Sequence, residues 1–233
     1  MTKETLFDLL KQNNISCSQE QLSLLMTFME YTLSTNEKFN LTAITDREVF
    51  VEKMIFDSAI ALKDLDLSNK TIIDIGTGAG YPGMVLSILE PKANVYLLDS
   101  TAKKIDYLVK FALQNNLEIH GINARAEDFS RTQREFFDYA VARAVAPLNI
   151  LVEIIAPLLK VNGTFIAMKG SGYEQELNEA SKALKKLNVH VDHIYEFELP
   201  ESKEKRAIIY LVKDKETNKK YPRQYNEIKK QPL

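Results

Sequence analysis

Residues 74–83 read DIGTGAGYPG, with four glycines in ten positions. They lie between the β-branched run TIIDI (71–75) and the apolar run MVLSIL (84–89). A strand that feeds a glycine turn and then a helix is the pattern of a ligand site at the carboxyl edge of an open α/β sheet. Glycines let the backbone bend sharply and come close to a ligand. The helix that follows offers free N–H groups and the positive end of its dipole. Such a turn suits a phosphate, a dinucleotide or an amino-acid-bearing nucleoside.

Outward from this turn, strand and helix periods alternate. NVYLLD (94–99), LEIHGINA (117–124), FDYAVA (137–142) and NGTFIAMKG (162–170) read as strands. Helices are expected over 84–89, 103–114, 148–159 and 174–187. HIYEFEL (193–199) and RAIIYLVK (206–213) leave no room for a helix between them, so they pair as an antiparallel hairpin. Near-continuous apolar strands alternating with helices predict an α/β fold, a doubly wound, mostly parallel sheet closed by that hairpin. Upstream, Lys3–Gln12 and Gln19–Asn36 have helical spacing, with Leu22, Leu25, Met26, Met29 and Leu33 on one face. A polar, aromatic connector follows, and 50–62 is again periodic. Three parts are expected: a helical cap and connector (1–49), the sheet domain (50–213) and a basic tail (214–233), the one segment expected to lack order.

Composition narrows the classes. Cys17 is the only cysteine among 233 residues, which excludes an internal disulfide and a Cys-rich zinc site. His120, His190 and His193 have no metal-ligand spacing, so no metal is expected. There is no signal-like h-region and no run of membrane-spanning length, so a cytoplasmic protein without membrane contact is expected. A monomer is the working expectation. The formal charge is −2, unevenly spread. From Lys213 to Leu233 seven Lys/Arg face three Asp/Glu, a net +4 that leaves −6 on the remainder. A basic tail on an acidic body suits either a polyanion contact or a solvated end.

Two ligands compete for the turn. Gly78, Gly80 and Gly83 satisfy G-x-G-x-x-G, and Asp99 stands about 20 residues on, where a ribose-binding acid belongs. An NAD-dependent dehydrogenase is one reading, and a nucleotide- or RNA-binding module with a Rossmann-like pocket is another. Three features favour S-adenosylmethionine. Asp74 precedes the first glycine by two residues and suits an ammonium better than a pyrophosphate. Ala126 and Glu127 follow the third strand, where an acid or a backbone N–H can meet adenine. The closing hairpin belongs to the methyltransferase variant of the sheet.

Seven short elements then carry a closer likeness. NLTA (40–43), DS (57–58), DIGTGAGYPG, LLDS (97–100), RAE (125–127), ARAVAPL (142–148) and MKG (168–170) stand in this order. From about Asn36 onward the chain resembles the bacterial small-subunit rRNA guanine-N7 methyltransferases, also called the glucose-inhibited division protein B family. The resemblance implies a class I methyltransferase fold and S-adenosylmethionine as donor. It implies one guanine of 16S rRNA as acceptor, in naked RNA or within a small ribosomal subunit particle. It places Gly76, Tyr81, Ala126 and Glu127 along the donor; the residues themselves assign Gly76, Gly78 and Gly80 to shaping the loop and Asp99 to the ribose hydroxyls. It puts Arg143 beside donor and substrate as the catalytic candidate. Met54 departs from the pattern, since a histidine is expected there.

Guanine N7 carries an in-plane lone pair and no proton, so methyl transfer to it needs no general base. Alignment and a preorganised polar site are then expected to supply the acceleration. Arg143, at the end of its strand, offers a planar fork for a phosphate or a guanine edge. Lys169, Lys103 and Lys104 are candidate RNA contacts, and Phe39 and Tyr81 candidate stacking partners.

Overall fold

The computed structural model describes residues 1–233. Seven strands form one sheet: β1 (Thr71–Ile75), β2 (Asn94–Asp99), β3 (Ile119–Asn123), β4 (Phe137–Arg143), β5 (Leu159–Gly170), β6 (Val189–Glu198) and β7 (Lys205–Lys213). Their order is β3-β2-β1-β4-β5-β7-β6. β1 pairs in parallel with both β2 and β4, so the order reverses at β1 and the switch point opens beside it. β7 alone runs antiparallel, between β5 and β6. That reversal brings the start of β7 to the edge where β1 and β4 end.

Helices cover both faces. α1 (Lys3–Gln12) and α2 (Gln19–Asn36) match their expected bounds. Ser18 and Gln21 form a capping box on α2. The Gln21 amide also donates to the carbonyls of Ile88 and Leu89 at 2.8 and 3.0 Å. It thereby satisfies carbonyls at the end of α5 (Gly83–Leu89) that have no partner within the helix. The stripe on α2 differs slightly from expectation: Phe28, fully buried, and Thr32 join Leu22, Leu25 and Met29, while Met26 and Leu33 are only partly covered. One hydrophobic cluster runs from Met1, Leu6 and Leu10 through α2 into β1, β2, α5 and α6 (Ala102–Gln114), so the N-terminal helices share the core of one sheet face. A second cluster on the other face joins the sheet to α8 (Leu148–Ile155) and α9 (Tyr173–Leu187).

Three local features depart from the sequence expectations. The segment expected as one helix over 50–62 is wound in four ways. α3 (Arg47–Phe50) is capped by Asp46 and is followed by a π-helical turn (Val51–Phe56), α4 (Asp57–Ala59) and a 3-10 turn (Ile60–Leu62). A wide turn of this kind is common at functional sites, and periodicity at 3.6 residues cannot show it. α7 (Ala126–Thr132) is a helix that short, polar AEDFSRT did not announce.

The third feature is the tail. Residues 214–233 lie ordered against the body, ending in α10 (Tyr225–Lys230). Tyr221, Ile228 and Leu233 are buried, and three well-spaced apolar anchors hold a segment whose composition reads as charged. Lys213, counted with the tail, is fully buried and donates to Glu135, Ala156 O and Leu159 O at 2.5, 2.8 and 2.7 Å. Burial without those partners would cost several kcal/mol. No helix is long and apolar enough to cross a membrane.

Candidate donor and acceptor site

β1 hands the chain to the glycine turn, where Gly76, Gly78 and Gly80 all have positive φ. Asp74 holds that turn from beneath. Its Oδ2 accepts from the Thr77 hydroxyl at 2.7 Å and the Gly83 N–H at 2.8 Å. Burial pushes the Asp74 carboxyl up to about 6, against the pull of those two donors. Two glycines are set by close approach. A Cβ on Gly83 would sit 2.2 Å from Leu97 and 2.7 Å from Asp74 Oδ2. A Cβ on Gly80 would meet Leu108, Met84 and Phe28 within 2.9 Å. Gly80 thus serves the packing of α2, α5 and α6 under the loop.

A cavity of about 950 Å³ opens where β1 and β4 end. Its wall brings together Gly76, Gly78, Tyr81 and Arg143 from the predicted set. Gly80, Asp99, Ala126 and Glu127 stand outside that lining. Tyr81 is mostly core. Its ring stacks on Phe28 at 5.0 Å between centroids, and its hydroxyl lies 3.2 Å from Thr32 Oγ1. Asp99 ends β2, with Oδ2 accepting from the Gly78 N–H at 3.1 Å and Oδ1 from the Thr101 N–H at 2.8 Å. Glu127 is buried on α7, and its carboxylate accepts from Arg125 Nε at 3.1 Å.

Arg143 ends β4, and the chain turns away through Ala144 at φ 55, a conformation uncommon for a residue with a Cβ. Its Nη1 donates to Lys53 O at 2.9 Å and lies 3.5 Å from Asp57 Oδ2, while Nη2 lies 3.4 Å from the Met54 sulfur. The π-helical turn thus supplies Arg143 with a carbonyl and a thioether, and the next residue supplies the carboxylate. Asp57 also accepts from Arg206 Nε at 3.2 Å. Burial raises the Asp57 carboxyl in spite of both guanidinium groups, and it draws Arg143 below its usual range. Arg206 Nη2 reaches Glu204 at 2.8 Å, and Glu204 pairs with Lys53. Lys169 pairs with Glu176 at 2.6 Å, and Lys104 lies 3.5 Å from Asp99. Each of the five cations lining the cavity (Lys53, Lys104, Arg143, Lys169 and Arg206) therefore faces a carboxylate of the chain itself.

Lys53, Asp57, Glu204 and Arg206 were not singled out as site residues from sequence. The usable signal was topological. The last strand is antiparallel, so its first residues, Lys205 and Arg206, must lie at the carboxyl edge of the parallel strands.

The cavity has the size range of small-molecule sites. A side chain at Gly76 would project to within 2.8 Å of Val145 on the opposite wall, so bare backbone keeps the cradle open. Bare backbone at Gly76 and Gly78, beside apolar Leu41, Ile44, Val145 and Met168, leaves room for a nucleoside bearing an amino acid.

Fold and site together define an S-adenosylmethionine-type methyltransferase. Solved structures agree at the level of fold. M. jannaschii TYW2 in complex with AdoMet superposes with a TM-score of 0.58 at 14% identity, covering 73% of this chain and 79% of that one. Aeropyrum pernix fibrillarin with natively bound S-adenosyl-L-methionine gives 0.52 at 15% identity, covering 67% and 73%.

Sequence takes the assignment further. The family model described as "GidB: rRNA small subunit methyltransferase G" matches residues 21–208, and the chain belongs to that family. It is 40% identical over 227 residues to the ribosomal RNA small subunit methyltransferase G of Fusobacterium nucleatum, covering 96% of this chain and 97% of that one. The protein of the same name from Ligilactobacillus salivarius is 36% identical over the full length of both chains.

Proposed function

We propose that this protein transfers a methyl group from S-adenosylmethionine to N7 of one guanine of 16S rRNA, in the bacterial cytoplasm. The observation that carries the reading is a single cavity that joins the glycine turn to Arg143, in a chain of this family. The backbone of Gly76 and Gly78 forms the cradle for the donor, and Gly80 keeps the turn seated on the helices below. Asp99 orders the turn through Gly78 and has lone pairs left for ribose hydroxyls. Ala126 and Glu127 flank the adenine side, and Tyr81 closes the floor.

The bound donor supplies an activated methyl on a sulfonium sulfur. The chain has to align the acceptor and stabilise spreading charge. N7 carries no proton, so no side chain is needed as a base. Arg143, fixed by Asp57 and Lys53 O, places its fork on the acceptor guanine edge or its phosphate. Being held in advance, it costs little reorganisation when the reaction occurs. The acceptor is small-subunit rRNA, free or within an assembling particle, and the enzyme acts as a monomer.

The test is incubation with methyl-labelled S-adenosylmethionine and small-subunit rRNA lacking the modification, both naked and as particles. Label in 7-methylguanosine after digestion is the expected result. Label in another nucleoside overturns the acceptor, and absence of donor binding overturns the whole reading.

A further inference from the structure

A second cavity, of about 480 Å³, lies between α7 and the tail. Arg131, Arg134, Lys219, Lys220 and Arg223 line it with Pro222, Gln224 and Glu227, and no hydrophobic residue does. The guanidinium groups of Arg131 and Arg134 build it. Arg131 Nη2 donates to Arg223 O at 2.8 Å. Arg134 donates to Tyr221 O and Thr217 O, each at 2.7 Å. These bonds fold the tail so that Lys219 and Lys220 line one cavity with the two arginines, Lys220 Nζ lying 5.1 Å from the centre of the Tyr221 ring.

The charge state of this cavity differs from that of the donor cleft. Arg223 is consumed by the buried Glu153, with bonds of 2.8 and 2.7 Å, and Arg131 meets Asp128 at 2.9 Å. Arg134, Lys219 and Lys220 form no ion pair. The tail's excess charge is therefore not a diffuse property of a solvated end. It is concentrated in one built concavity. Arg134 lies just before β4 and Arg143 at its end, so a seven-residue strand, roughly 20 Å long, separates this cavity from the cleft.

We infer that the cavity is a second RNA-binding site, taking phosphodiester groups of the rRNA substrate outside the methylated nucleotide. The inference rests on the rRNA reading above. A protein partner would be expected to meet an apolar centre within a polar rim, and none is present. Unpaired Lys and Arg without apolar or stacking surfaces suit phosphate contacts, which position RNA without reading bases. Such a site adds long-range attraction from cations that no carboxylate of the chain pairs.

The experiment measures binding to unmodified small-subunit rRNA, naked and in particles, between 50 and 300 mM salt. It compares wild type with the exposed pair Lys219→Gln/Lys220→Gln. Lys11→Gln/Lys92→Gln, exposed residues on α1 and just after α5, the helices of the other sheet face, is the charge-matched control. The slope of log affinity against log salt should become shallower by about 1.5 in the tail variant, with roughly tenfold weaker binding near physiological salt. The control, donor affinity and methyl transfer at saturating RNA should stay as in wild type. A slope equal to wild type, or lowered as much in the control, overturns the inference while leaving the enzyme's activity intact. If wild type binds rRNA with a salt slope yet transfers no methyl, the catalytic reading fails. The slope difference between variants then decides the cavity by itself.

Discussion

The molecule carries two cation-rich concavities that treat charge in opposite ways. In the donor cleft every lining cation is matched by a carboxylate of the chain, two of them sharing the buried Asp57. On the tail face three of five cations are unmatched. Counting residues cannot separate these cases, because a field depends on which charges are neutralised and where. Paired charges fix the geometry of the side chains that carry them. Unpaired ones create attraction over distance and lose it to salt.

The sharpest break between the two should come from Arg143→Ala. Methyl transfer should fall by about two orders of magnitude, the scale of misplacing the acceptor by about an ångström. Salt dependence of RNA binding should barely change. Arg143→Lys, which keeps charge but not the fork, should recover only a small part. Thermal melting must accompany the assay, because the substitution leaves Asp57 buried with Arg206 alone. Near-normal turnover in a folded variant would reduce Arg143 to a structural ion-pair partner.

How much of this was legible in the sequence depends on the kind of signal. The sheet was readable because strands such as NVYLLD and FDYAVA are apolar throughout and are punctuated by turns. The glycine turn and Arg143 were readable because the carboxyl edge of a parallel sheet is where ligands sit. Arg206 and Glu204 were not singled out, although the antiparallel turn of β7 carries them to that same edge. The π-helical turn at Val51–Phe56 was hidden by its near-helical periodicity, and with it the contacts that hold Arg143. The tail's order depends on Tyr221, Ile228 and Leu233, three anchors scattered in polar sequence, and on arginines more than eighty residues away. Lys213 showed the same limit, since a residue counted as tail charge proved to be a fully paired core cation.

A second, smaller effect sharpens the cleft side. Asp74 is a buried carboxylate with hydrogen bonds but no cation in contact, and its native value near 6 lies above the 3.8 of an unperturbed aspartate. Between those values the native state binds the proton more tightly than the unfolded state. The stability contributed by this group is therefore present at low pH and lost as pH rises through 6. Denaturant melts of wild type and Asp74→Asn should diverge accordingly. On going from pH 7.5 to 4.5, wild type should gain about 2 kcal/mol relative to the variant. A difference that stays constant with pH would mean that Asp74 stays ionised over this range in the native state as in the unfolded one, its two donors outweighing its burial.

The smallest expected effect tests whether the two regions are independent at all. Tyr225 opens α10 and packs with Ala126 and Ala146 around Ile150, Ile154 and Ile228. The Arg125 guanidinium lies 5.1 Å from the centre of its ring and also holds Glu127. The tail therefore touches the residues proposed for the adenine side of the donor. A cation–π contact at a half-exposed site contributes about 0.5–1 kcal/mol. Its loss in Tyr225→Ala should weaken donor binding about two- to fivefold by calorimetry, and Tyr225→Phe should bind as wild type. The salt slope for RNA should be unaffected, because Lys219 and Lys220 remain in place. If Tyr225→Ala leaves donor affinity untouched, tail and cleft act separately, and the tail serves the RNA alone. A fall in donor affinity would make the tail a brace for one site as well as the charged surface of the other. Donor binding and RNA docking would then be linked through Arg125.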